Sequence, residues 1–228
     1  MHIEPGIVTG AKLAIGHATV AGVGLYALWL ARREALRSGL VLLIARSLIA
    51  IIAVFGFFEV LPHFSAGVSE VHFIFGSTLF LMLGVAPAAI GLAVGLALQG
   101  WLLAPADLPQ LAMNITTLLA PLIGIAAIAR RSIAPGTRYV DLRYGQALLL
   151  SATYQAGVVA WVVFWVLVGV GAGAQTMAAL VQFALAYSVV LIVEPLVDLA
   201  VLALARWLGA GHGAVLQWLN PRLSAGAA

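Results

Sequence analysis

The first two residues of the chain bring three nitrogen donors together. The sequence opens Met1-His2, so the Met1 amine, the His2 amide nitrogen and a His2 ring nitrogen lie within one dipeptide and can chelate a single ion. Nitrogen donors in a plane suit Ni(II), Cu(II) or Co(II) better than Mg(II) or Ca(II). Pro5 and Gly6 follow, and both residue types favour a turn of the chain. The dipeptide therefore raises the hypothesis of a transition-metal site.

A planar site needs a fourth donor, and one stretch of the chain offers several. Residues 59–72 contain two histidines and two carboxylates, namely Glu59, His63, Glu70 and His72. We favour His72, because a ligand at the start of a predicted helix is held more rigidly than His63 in a predicted loop. His63 and Glu70 are weaker candidates. The alternative is that both histidines are ordinary residues of the membrane interface.

Three polar side chains mark the start of a later predicted span. Asn114, Thr116 and Thr117 supply an amide and two hydroxyls within an otherwise apolar stretch. Such groups can form an outer shell that orients a ligating histidine. They can equally form hydrogen bonds between helices. Both interpretations stay open, and Asn114 is kept as a weaker candidate for the metal site.

The elements that must position these donors are membrane helices. Of the 228 residues, 64% are apolar and 8% are charged, and the mean hydropathy is +1.12. A soluble fold could not bury so much apolar surface. Because a span needs about 20 apolar residues, we predict an all-α bundle of about seven spans. They lie near 8–31, 40–61, 68–84, 86–104, 111–130, 145–172 and 176–205.

The bundle is predicted to be a single membrane domain covering residues 1–228. Residues 1–7 would be its metal-binding segment and residues 206–228 a cytoplasmic tail. The short loops leave no room for a soluble catalytic domain, so any ATPase must be a separate chain. The absence of cysteine excludes thiolate metal sites, disulfides and cysteine nucleophiles. We recognise no cleavable signal peptide.

Basic residues predict the orientation of the spans. Nine of the eleven basic residues fall in or next to alternate loops, and the exceptions are Lys12 and Arg46. The positive-inside rule then places the N-terminus outside and the C-terminus in the cytoplasm. This orientation puts the candidate ligands on or near the outer face. These are Met1, His2 and His72 with the weaker candidates His63 and Glu70, and the acidic residues Glu4 and Asp107 lie on the same side.

Two carboxylates lie four residues apart in the seventh predicted span. Glu194 and Asp198 flank a kink at Pro195. They suggest acid–base chemistry in an intramembrane enzyme, or a proton relay in a secondary cation transporter. The interpretation we favour is structural pairing with a buried cation, for which Arg46 is the candidate. No nucleophile or water path accompanies them, so we expect no enzymatic activity and no prosthetic group.

Small residues recur every fourth position in two spans. The first span carries Gly6, Gly10, Ala14, Ala18 and Gly22, and the fourth carries Gly91 and Gly95. Such faces let helices approach closely. Packing within the bundle explains most of them, although an exposed stripe would also suit a partner membrane protein.

Three features together resemble a known family of membrane proteins. They are Met1-His2-Ile3 with Gly6, the histidine that opens the third predicted span, and the run Met-Asn-Ile-Thr-Thr-Leu at 113–118. The chain resembles, over essentially its whole length, the cobalt/nickel substrate-capture subunits of energy-coupling-factor ABC importers, the CbiM/NikM type. The chain differs from many relatives directly before the later histidine, where they have small residues and this chain has Glu70.

The resemblance implies a seven-helix fold whose N-terminal segment tucks into the bundle. It implies one Co²⁺ or Ni²⁺ as transported substrate, held by the Met1 amine, the amide and imidazole of His2, and a later histidine that corresponds to His72. It also implies a bacterial inner membrane location. The partners would be a transmembrane coupling subunit, two cytoplasmic ATPase subunits and often a small accessory membrane protein, with no role for nucleic acid. Planar nitrogen geometry mildly favours nickel.

Overall fold

The structure, a computed structural model, describes residues 3–209 and is a bundle of seven helices. The helices are α1 (Leu13–Ser38), α2 (Leu40–Val60), α3 (Gly76–Leu83), α4 (Val85–Leu102), α5 (Leu111–Ser132), α6 (Tyr144–Val170) and α7 (Ala174–Gly209). Two short strands, β1 (Phe64–Ala66) and β2 (Ser69–Val71), precede α3. The predicted ligands Met1 and His2, and residues 210–228 of the predicted tail, lie outside the described residues.

Long apolar runs form the helices because a backbone in lipid must satisfy its own hydrogen bonds. Within residues 3–209, six helices are long and apolar enough to cross a membrane, and only α3 is not among them. The chain is therefore a multi-pass membrane protein of the all-α class, as predicted. The six spans correspond to the first, second, fourth, fifth, sixth and seventh predicted ones.

The prediction that residues 68–84 form one membrane-spanning helix is wrong. Its first half is strand β2 followed by an extended segment, and only Gly76–Leu83 is helical. An eight-residue helix is about 12 Å long, well short of the roughly 30 Å of a hydrocarbon core. The hydropathy of this stretch is high because it is buried inside the protein. His72 consequently lies in extended chain, not at the start of a helix.

Helices α2 and α4 run in the same direction and pack closely. A Cβ on Gly91 would lie 2.4 Å from the Ala50 Cβ, and one on Gly95 would lie 2.8 Å from the Val54 side chain. The residue numbers of the contacting pairs increase together in the two helices, so the helices are parallel. The small residues predicted in the fourth span thus serve packing within the bundle. In the first span, by contrast, Gly22 has no neighbour within 4 Å of an added Cβ.

The bundle has two chemically distinct ends. The first, which we call the hairpin end, gathers residues 3–8, the β1–β2 hairpin and the turn between α6 and α7. The contacts that define it include the close approach of Gly169 to Ile7. The second, the arginine end, has a pocket whose basic lining residues are Arg33, Arg37 and Arg130.

The arginine end also holds the loop between α5 and α6. Arg206 of α7 donates hydrogen bonds to the carbonyl oxygens of Val140 and Leu142 in this loop. Arg138 donates two hydrogen bonds to Asp141, at 2.7 and 3.0 Å, and they hold the pKa of that carboxyl below its usual value. The loop is therefore closed on itself and tied to the last helix.

Candidate metal site

His72 is a buried imidazole in the extended segment after β2. Only 1% of its surface is exposed, and its Nε2 lies 2.8 Å from Oε2 of Glu70. The two side chains meet because residues two apart in extended chain point to the same face. Sequence reasoning identified both residues but did not connect them, since it treated His72 as helical.

Aromatic rings hold the imidazole from two sides. The ring of His63 stacks on that of His72, with centroids 4.8 Å apart and an angle of 11° between planes. Phe58 of α2 contacts the same ring edge-on at 5.2 Å. The structure therefore brings three predicted donors together, His63, Glu70 and His72. Among residues 3–209, however, no group of three such side chains is arranged to hold a metal.

The N-terminal segment runs into the hairpin. Ile3 is fully buried and forms an antiparallel bridge with Ser69, the first residue of β2. The amide of Glu4 donates to the carbonyl oxygen of Val68 at 3.2 Å. The chain that follows His2 is thus paired with the strand that leads to His72.

Asn114 anchors the same segment from α5. Its Oδ1 accepts a hydrogen bond of 3.0 Å from the amide of Ile3, and the side chain is buried. Of its neighbours, Thr117 bonds its own helix at Met113 and accepts a bond of 3.1 Å from the Trp165 indole. The sequence left open whether this amide orients a histidine or bonds another helix, and its described hydrogen bond is to the backbone of the N-terminal segment.

Further contacts hold the segment beyond Ile3. Gln110 donates to the Val8 carbonyl oxygen at 3.2 Å. A Cβ on Gly169 would lie 2.2 Å from the Ile7 oxygen, so α6 can pass this close only because it has glycine there. Lys12 donates to the Gly169 carbonyl oxygen at 2.8 Å. Contacts near both ends of residues 3–8 therefore hold this segment against the bundle.

The comparison with known protein families gives a match over nearly the whole chain. A family model described as CbiM, the cobalt uptake substrate-specific transmembrane region, matches residues 2–208. The chain belongs to this family. It is a substrate-specific membrane component of cobalt uptake, and a transport role fits the expectation that it is not an enzyme. No curated protein and no solved structure matches the chain significantly.

In this CbiM-type component the two carboxylates of α7 hold the segment after His72. Glu194 accepts hydrogen bonds from the amides of Ile74 and Phe75, the latter at 3.0 Å. Asp198 accepts from the hydroxyls of Ser77 and Thr78, at 2.6 and 2.5 Å. Both carboxylates are buried. The two carboxylates therefore hold the segment before α3 and the first turn of that helix.

The predicted pairing of Glu194 and Asp198 with Arg46 is wrong. Arg46 is buried in α2 and forms an ion pair of 3.5 Å with Glu34 of α1. The neighbouring helix supplies its counter-ion, whereas Glu194 and Asp198 face the amides and hydroxyls at the start of α3. Backbone amides can stabilise a carboxylate as a cation does, and no sequence pattern showed that they would be available here.

Two more polar residues support Glu194. Gln155 of α6 donates to its carboxylate, and Tyr187 of α7 donates to Gln155 at 2.5 Å. Sequence reasoning left Gln155 without a role and did not single out Tyr187. The available signal was an amide within an apolar span, which must find a partner there.

Phe75 explains why so many bonds converge on this segment. Its φ of 51° is in the left-handed region, the only such non-glycine residue described in 3–209. That conformation costs roughly 1–2 kcal/mol for a residue with a Cβ. The hydrogen bond to Glu194 and the ring contact with Phe57, with centroids 4.9 Å apart, offset the cost. The sharp turn directs the chain from His72 into α3.

Proposed function

We propose that the chain captures Co²⁺ or Ni²⁺ at its hairpin end as the substrate subunit of an energy-coupling-factor ABC importer. The donors would be the Met1 amine, the amide and ring nitrogens of His2, and His72. The observation that carries the proposal is the bridge between Ile3 and Ser69, because it ties the residue after His2 to the strand that carries His72.

The reach of the chain supports this donor set. Two residues extend at most about 7 Å from Ile3, at roughly 3.3–3.6 Å each. His72 follows Ser69 by three residues, about 10 Å of strand at 3.3 Å per residue. Because the bridge is antiparallel, the residues before Ile3 would run beside those after Ser69. The remaining gap of about 3 Å along the strand is within the length of the His2 and His72 side chains, so their nitrogens can meet at one ion. His63, Glu70 and Asn114 remain the weaker candidates for direct ligation.

The cargo is a metal ion, so the chain itself carries out no covalent chemistry. Four nitrogen donors in a plane suit Ni²⁺ and also accept Co²⁺. In this proposal the hairpin end faces the outside of a bacterial cell membrane. A transmembrane coupling subunit and two cytoplasmic ATPase subunits would drive release, with a small accessory membrane protein as a further partner.

The decisive experiment measures the stoichiometry and affinity of Ni²⁺ and Co²⁺ binding to the purified protein with its native N-terminus. The variants are His2→Ala, His72→Ala and a chain with one residue added before Met1. The control is His17→Ala, because His17 is an exposed α1 residue that bonds its own helix at Leu13. We expect one ion per chain in the parent and control, and loss of binding in the other three.

Two results would contradict the proposal. If the parent binds neither metal, the chain does not capture Co²⁺ or Ni²⁺. If the N-terminal variants bind as tightly as the parent, the Met1–His2 chelate is incidental and the ligands must be other residues.

A further inference from the structure

Glu70 is the one carboxylate whose hydrogen bond to the imidazole of His72 is described. It lies on β2, opposite Ser65 of β1, and its side chain is 30% exposed. We infer that Glu70 is a positioning residue, which fixes the His72 ring so that Nδ1 is the nitrogen presented to the metal. The inference rests on the proposed function, because it concerns the ligand set of that same site.

The chemistry of the pair determines which nitrogen is presented. When Glu70 is ionised its carboxylate only accepts hydrogen bonds, and Nε2 of His72 is then the donor in the 2.8 Å contact. A neutral imidazole with its proton on Nε2 carries its lone pair on Nδ1. A carboxylate in this position also makes the ring a more basic ligand. Coordination through Nε2 would instead require the displacement of Glu70.

The surroundings of the ring limit any other orientation. His63 covers one face of the imidazole, and Phe58 meets it edge-on. Glu70 is itself held, because β2 pairs with β1 through the whole hairpin. The ring is therefore confined by two aromatic contacts, and the hydrogen bond to Glu70 selects the tautomer within that confinement.

The test compares Glu70→Ala with Glu70→Gln, because glutamine keeps an oxygen that can accept from Nε2 but removes the charge. The matched control is Glu59→Ala, which removes a glutamate at the end of α2. The first readout is the affinity of the purified protein for Ni²⁺. The second needs no metal. It is the ¹⁵N shift of the two His72 ring nitrogens, assigned by their loss in His72→Gln.

We expect Glu70→Ala to weaken Ni²⁺ binding roughly 10- to 100-fold, the usual effect of losing such a partner. The ¹⁵N shifts should show the proton on Nε2 in the parent and a mixture of tautomers in Glu70→Ala. Glu70→Gln should retain the parent tautomer and most of the affinity, and Glu59→Ala should match the parent in both readouts.

Other outcomes overturn the inference. The first is an unchanged Ni²⁺ affinity and an unchanged tautomer in Glu70→Ala. The second is an equal loss of Ni²⁺ affinity in Glu70→Ala and Glu70→Gln while the tautomer stays that of the parent. The second result would assign a role to the charge of Glu70 alone. If the parent protein binds no metal, the proposed function fails separately. The shifts of the metal-free protein still decide whether Glu70 sets the tautomer, so the two failures are distinguishable.

Discussion

Asn114 and His72 belong to different elements, yet each is fixed relative to the same short stretch of chain. Asn114 binds the amide of Ile3, and Ile3 pairs with Ser69, three residues before His72. Metal affinity should therefore depend on Asn114 although its described hydrogen bond is to backbone. A residue of this kind acts by fixing the backbone next to the proposed ligands.

Asn114→Ala should weaken metal binding and lower thermal stability. The substitution leaves the buried amide of Ile3 without its acceptor, which costs about 1–3 kcal/mol. The matched variant is Thr117→Val, one turn further along α5, which removes the acceptor of the Trp165 indole. Melting temperature and Ni²⁺ affinity should both fall in Asn114→Ala, whereas only the melting temperature should fall in Thr117→Val. Equal affinities in the two variants would contradict the role of Asn114.

Metal affinity should decrease as the pH falls. Ligation by the His2 amide requires a deprotonated nitrogen, and the Met1 amine and the imidazoles must also be neutral, so binding releases protons. Titrations of the parent with Ni²⁺ from neutral to mildly acid pH should show a progressive loss of affinity. A flat profile over that range is incompatible with amide ligation.

The choice of His72 over His63 came from sequence, but the reason for it was wrong. The run 68–84 is apolar enough to predict a helix, and only the structure shows β2 and extended chain there. Hydropathy reports burial and does not distinguish a lipid-facing helix from a segment enclosed by protein. The link between Glu70 and His72 depends on this extended chain, so helical periodicity could not reveal it.

At the scale of elements, the β1–β2 hairpin carries Glu70 and leads directly to His72, so it positions two residues of the candidate metal site. Its turn residue Gly67 has a φ of +66°, and an added Cβ would lie 2.4 Å from the carbonyl oxygen of Ala179 in α7. The turn is thus pressed against a helix that sequence gave no reason to place there. Spans could be predicted from composition, whereas the contact between a loop and a distant helix could not.

Gly67→Ala should displace the hairpin and weaken metal binding. Alanine at positive φ costs roughly 1–2 kcal/mol, and the contact with Ala179 adds a steric clash. The control is Gly136→Ala, which has a φ of +81° but no neighbour within 4 Å of the new Cβ. Both variants should melt at lower temperature, but only Gly67→Ala should lose Ni²⁺ affinity. Parent-like binding by Gly67→Ala would show that the hairpin does not support the site.

For the whole molecule, the separation of the two ends is the main feature. His63, Glu70 and His72 lie at the hairpin end, and the arginine pocket and Arg206 lie at the other. Basic loops favour the cytoplasmic side, so the sequence predicts which end faces outward. The structure places the pocket arginines and the hairpin at different ends of the bundle, and the side of the membrane that each end faces stays a prediction.

Labelling of introduced cysteines tests the orientation, since the chain has none of its own. Ser65→Cys in the hairpin should react with a membrane-impermeant maleimide added to intact cells. Pro135→Cys, in the loop between α5 and α6, should react only after the membrane is permeabilised. Both positions are exposed. The reverse pattern would place the candidate site in the cytoplasm and exclude capture from outside.

The bonds from α7 to the start of α3 have a consequence for how the protein is made. Glu194 binds the amide of Ile74, which the ribosome adds to the chain 120 residues earlier. Until α7 enters the membrane, these amides and hydroxyls lack their acceptors, and unsatisfied backbone in lipid costs several kcal/mol per group. The segment beside His72 can form these hydrogen bonds only after α7 has been inserted into the membrane. We therefore expect a chain that stops before α7 to leave this segment without the acceptors that Glu194 and Asp198 supply, so the site is completed only at the end of synthesis.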